Sequence, residues 1–259
     1  AGQTYLILGK DSSTGGSPVA YSISFSDMSV SLDVRPGASG VGCTEMLISN
    51  EGAATIDVDV SMSGGGVTIS PGAVSVTIGG GANITVPVCA IAATSSNHAQ
   101  FQVTAIAQGR ESNTQQEPVN KSASFTAIIE QYARLSIRAD QPYSEFCRDS
   151  ILNTSFTVSN NGNGVDTILV EVLNQTDLEN AGFTVALSQP QIEIDSQGEI
   201  TVPITVRAGN ATEIVEEGNY TLIVEAKTTL AGETEARSVT ATLYIEECEE
   251  IAKVPPVAI

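Results

Sequence analysis

The sequence contains no tryptophan, one histidine, and 11 Lys and Arg against 30 Asp and Glu, for a formal net charge of −19. A nucleic-acid partner needs clustered cations, and no basic stripe occurs along the chain. The lone histidine, His98 in "SSNHAQF", has no serine-nucleophile motif beside it, and "LGKDSSTGG" lacks the Gly-x4-Gly-Lys-Ser/Thr order that cradles phosphate. Six Tyr and six Phe, mostly at strand positions that would face a core, leave few aromatic platforms for sugars. The longest apolar runs are strand-length, so no transmembrane helix is expected. The composition therefore predicts no enzyme, no cofactor and no metal centre.

What is present is period-2 alternation. "ATIDVDVSM", "ASFTAII", "DTILVEVL", "NYTLIVEA" and "SVTATLYI" read as short strands, and Gly, Asn, Pro and Ser divide them. An internal repeat fixes the organisation. "LISNEGAATIDVDV" from Leu47 matches "TVSNNGNGVDTILVEV" from Thr157, which aligns Asn50 with Asn160, and "ITVPVC" from Ile84 matches "ITVPIT" from Ile200. The expected fold is all-β: two tandem immunoglobulin-like β-sandwiches over residues 27–132 and 133–250, with an N-terminal arm over 1–26 and an extended tail over 251–259. The Asn-x-Gly corners are read as turns needing residues tolerant of positive φ.

The cysteines are Cys43, Cys89, Cys147 and Cys248, without CxxC or Cys/His metal spacing. In an immunoglobulin-like sheet the start of the second strand meets the end of the fifth, so Cys43 is expected to pair with Cys89. First and last strands run parallel along one edge, which pairs Cys147 with Cys248. Six of the asparagines, Asn83, Asn120, Asn153, Asn174, Asn210 and Asn219, stand in Asn-x-Ser/Thr acceptors. Together these features point to an oxidising, extracellular setting and to N-linked glycans.

The alternation slips once, in "PVAYSISFSDMSVSLDV". Val19, Tyr21, Ile23 and Phe25 fall on odd positions, and Met28, Val30, Leu32 and Val34 on even ones. Counting from Met28 already fills a sandwich, so residues 1–26 read as surplus: either an extra edge strand of the same sandwich with the Asp27 slip as a corner, or a donor strand for the next subunit, which is the expectation adopted. Tyr5, Leu6, Ile7, Leu8, Val19, Tyr21, Ile23 and Phe25 then become the expected subunit interface.

The Pro-Gly turn in "VRPGAS", the "SNEG" and "SNNGNG" corners and the "ITVPV" and "ITVPI" strands resemble the cell-adhesion-related (CARDB-like) immunoglobulin-like modules of archaeal and bacterial surfaces. In organisation the chain also resembles the subunits of archaeal extracellular threads, departing from them in having two sandwiches. The resemblance implies a homopolymeric filament at the cell surface, built head to tail by strand donation and in contact with other cells or surfaces. The alternative expectation is a monomeric adhesion or S-layer-associated spacer module.

Overall fold

The computed structural model describes residues 19–209 and 214–248. The chain divides into two compact units, the first ending at Ile129 and the second taking in Glu130 onward together with Ser95–His98. The first unit contains β1 (Tyr21–Phe25), β2 (Ser29–Leu32), β3 (Val41–Asn50), β4 (Ile56–Gly64), β5 (Thr68–Ser70), β6 (Ala73–Ile78), β7 (Asn83–Ile91), β8 (Ala99–Glu111) and β9 (Val119–Ile129). They form a sheet in the order β1-β3-β7-β5 and a facing sheet in the order β2-β9-β8-β4-β6.

The second unit repeats this arrangement with β10 (Leu135–Ala139), β11 (Tyr143–Cys147), β12 (Ile151–Asn160), β13 (Asp166–Val172), the short helix α1 (Gln175–Asn180), β14 (Phe183–Leu187), β15 (Gln191–Ile194), β16 (Glu199–Ala208), β17 (Gly218–Thr228) and β18 (Ala236–Glu246). Its sheets run β10-β12-β16-β14 and β11-β18-β17-β13-β15, strand for strand the order of the first unit. The fold is all-β, a tandem of two immunoglobulin-like sandwiches.

Each core forms where the apolar halves of the alternating strands meet. In the first unit Leu32, Met46, Ile48, Val58, Val88, Val103 and Phe125 are buried; in the second Phe156, Val158, Ile168, Val202, Leu222 and Leu243 are. Burying one such side chain contributes roughly 1.5–3 kcal/mol, which is why alternation dictates the register of every strand.

The phase slip marks a change of sheet. β1 pairs antiparallel with β3, whereas β2 pairs parallel with β9 in the facing sheet. A chain crossing between facing sheets must invert which side points inward, so Tyr21 is buried on odd parity and Val30 and Leu32 on even. The second unit does the same: β10 pairs with β12 and β11 runs parallel to β18.

The spare-strand reading is therefore corrected. β1 is the counterpart of β10, an integral strand, and the arm expected to end at residue 26 is part of the first sandwich from at least Tyr21 onward. Counting from Met28 omitted β1, whose counterpart β10 is part of the second sandwich.

Candidate functional site

The residues expected at a subunit interface divide in two. Tyr5, Leu6, Ile7 and Leu8 lie outside the described residues, as do Asn210 and the 251–259 tail. Of the rest, Tyr21 is built into its own unit: the residue is 2% exposed and its single hydroxyl proton is shared between the carbonyls of Ala107 at 2.9 Å and Val119 at 2.7 Å. Gly109 makes room for that ring, since a Cβ there would sit 2.5 Å from it. Phe25 packs edge-on against Phe125, ring centroids 4.8 Å apart. Val19 and Ile23 are half-buried, and Ile23 pairs with Ile48 across β1 and β3. Tyr21, Ile23 and Phe25 thus hold the first sandwich together, because each faces apolar neighbours from its own sheets.

The crossover between β1 and β2 is pinned by an aspartate. Asp27 accepts hydrogen bonds from Ser26 Oγ at 3.0 Å and Thr44 Oγ1 at 2.9 Å. In the second unit Asp140 accepts from Ser155 Oγ at 2.6 Å and Thr157 Oγ1 at 2.8 Å. The Ser155 bond above all holds the Asp140 carboxyl below the usual carboxylate range.

The repeated corner asparagines have a structural task that alternation alone did not reveal. Asn50 Nδ2 donates to the carbonyls of Ala54 and Ile78 at 2.8 and 3.1 Å, and its Oδ1 accepts from Gly52 N–H at 3.0 Å. Asn160 does the same with Gly164 and Ile194 at 2.8 and 2.9 Å and with Gly162 N–H at 2.9 Å. Both are buried, so the amide satisfies backbone groups that would otherwise be stranded. The positive-φ reading of these corners is corrected: none of Asn50, Gly52, Asn160 and Gly162 has a positive φ. Gly162 is needed for space instead, because a Cβ would lie 2.4 Å from the Tyr132 carbonyl.

Two disulfides are present. Cys43 and Cys89 face each other directly across β3 and β7 on the outer side of their sheet. Cys147, at the end of β11, bonds Cys248 just beyond β18. Among the described residues the only cluster with metal-ligand composition is Cys147, Glu246 and Cys248, and both its sulfurs are committed to that bond.

Of the described sequons, Asn83, Asn120, Asn153 and Asn219 are exposed. Asn174 differs: its Nδ2 donates to the Thr221 carbonyl at 2.6 Å and its Oδ1 accepts from Ile223 N–H at 3.0 Å, tying the start of α1 to β17. Two recesses belong to the second unit. One of about 390 Å³ is lined by Glu179, Gly182, Ile214, Glu216 and Tyr220, and another of about 440 Å³ by Asn97, His98, Asn163, Asp195 and Ser196. The Ser196 hydroxyl donates to the Gly162 carbonyl at 2.8 Å, a structural bond.

No protein-family model matches the chain, and no curated protein matches its sequence. Solved structures that align with it include a protein of unknown function from Porphyromonas gingivalis W83, at 10% identity over 86% of this chain and 99% of that one, with a TM-score of 0.33. The D0-D1 domain of intimin aligns at 12% identity over 86% and 97% of the two chains, TM-score 0.29. Domains 4 and 5 of the S-layer protein SbsC align at 16% over 55% and 64%, TM-score 0.27. Similarity at this level names no family, and the fold assignment stands on the strand pairing described above. No helix among the described residues is long and apolar enough to cross a membrane.

Proposed function

We propose that the chain is a non-catalytic structural subunit of an extracellular cell-surface assembly, polymerising head to tail by donating an N-terminal strand to a neighbouring copy. The donor in this reading is Tyr5–Leu8, because Val19–Phe25 is engaged within its own unit. The observation that carries the proposal is a mismatch between the copies. Among the described residues each unit has nine equivalent strands, β1 to β9 and β10 to β18; β10 follows β9 after only five residues, whereas the sequence places the apolar "TYLIL" run ahead of β1. The sequence has no such run ahead of β10, and a strand-length apolar segment gains most by pairing with an open sheet edge.

Two disulfides suit an oxidising compartment, and the exposed sequons suit glycan attachment. A head-to-tail contact of this kind does not close on itself, so it grows a filament. Electron microscopy of the intact chain beside a variant lacking residues 1–18 tests the reading. Filaments from the first and folded monomers from the second are expected. If both remain monomeric, the function becomes that of a monomeric adhesion or spacer module, a role each self-completed sandwich could fill.

A further inference from the structure

Resting on that reading, we infer that the strand is received by the first unit, at the lateral opening between β6 and β7. The two units differ at this edge. β7 spans Asn83–Ile91, but β5 pairs only with Cys89, Ala90 and Ile91, and no described strand lies beside residues 83–88 on that side. The inward-facing side chains here, Val74, Val76, Ile84 and Val86, are only half-buried, although their strand parity points them at the core. In the second unit the positions matching Val76 and Val86 are Ile192 and Val202, at 5% and 0% exposure. There β14 is five residues long, Leu187 packs on the core, and Ser188 N–H continues the pairing to the Pro203 carbonyl at 3.2 Å. The first unit has Pro71 and Gly72 at the places of Leu187 and Ser188, so its cover stops short.

β6 is also the outer strand of its sheet and carries no charge, in a chain with 30 acidic residues; its counterpart β15 carries Glu193. Charged edges repel incoming strands, and β6 lacks that defence. The occupant is the Gln3–Leu8 segment of a second copy. Its six residues match the six of Asn83–Val88, and period-2 alternation sends Leu6 and Leu8 together to one face, where they would complete the layer of Val76, Ile84 and Val86.

The test uses full-length chains carrying either Leu6→Asp, which spoils the donor, or Val86→Asp, which spoils the acceptor. Each alone is expected to lose filaments, and an equimolar mixture to yield dimers that grow no further, because one intact donor meets one intact acceptor. If Val86→Asp polymerises like the unaltered chain, the acceptor lies elsewhere and only this inference fails. If the unaltered chain never assembles, the filament proposal fails with it. Hydrogen exchange of the unaltered chain guards against misfolding of the variants: amides of 83–88 should gain protection as concentration rises. Protection there that is independent of concentration would mean the chain fills its own groove, and would overturn uptake from a second copy.

Discussion

Where the first unit places Cys43 opposite Cys89, the second places Asn153 opposite Thr205, joined by a hydrogen bond of 3.1 Å. The second unit has its disulfide elsewhere, closing a span of 101 residues from the end of β11 to just beyond β18, against 46 residues in the first. One sheet position thus tolerates a covalent bond or a polar pair. The strand order is identical in both units, so it is set by alternation, by the two buried asparagines and by the sheet crossover. The staples are additions, placed differently in each copy. A second difference follows the same logic: the cover beside β16 extends to Ile204 through Leu187, whereas the cover beside β7 stops at Cys89.

This comparison can be broken in order of expected effect. Replacing Cys147 and Cys248 with serine should cost the second unit about 3–5 kcal/mol, while replacing Cys43 and Cys89 should cost the first somewhat less, since the shorter loop constrains the unfolded chain less. Denaturant unfolding of the two double variants measures both, and equal losses would argue against a loop-entropy account. Asn160→Ala and Asn50→Ala should each cost about 2–4 kcal/mol by stranding buried carbonyls and an N–H. A variant that melts like the parent would show that water replaces the amide.

Tyr21→Phe should cost the first unit about 1–2 kcal/mol and leave the second untouched. Burial raises the Tyr21 pKa, so its stabilisation is complete below the unfolded tyrosine range near ~10 and falls as pH rises above it. Phenylalanine should remove that alkaline sensitivity, which hydrogen exchange resolved by unit can follow. The smallest effect belongs to Asp140→Asn. The carboxyl pKa is lowered in the fold, so its contribution is complete above the unfolded value near ~3.9 and is lost as pH falls through the folded one. The site is partly solvated, so the variant should lose no more than about 1 kcal/mol at neutral pH and show a flatter acid limb in thermal melts.

Much of the fold was legible because alternation and repetition are linear signals. The strand-rich tandem and the Asn50 and Asn160 equivalence could both be read along the chain. The candidate site was less so. Tyr21 looked like any outward donor residue, because its partners Ala107 and Val119 are 86 and 98 residues away. Asn174 looked like the other sequons, because its bonds to Thr221 and Ile223 cross to β17. Asp27 and Asp140 carried no signal beyond their place at the slip, since Thr44, Ser155 and Thr157, which hold them, come from β3 and β12.

The sequence by itself determined the β class, the two copies and the phase slip, since each depends only on the spacing of residues along one strand. Tertiary structure decided what the slip means, which strands belong to which sheet and which edge is left open. Those depend on how facing sheets bury side chains from distant segments, and Val86 and Val202 sit in nearly identical "ITVP" strands yet differ in burial because of what packs beside them.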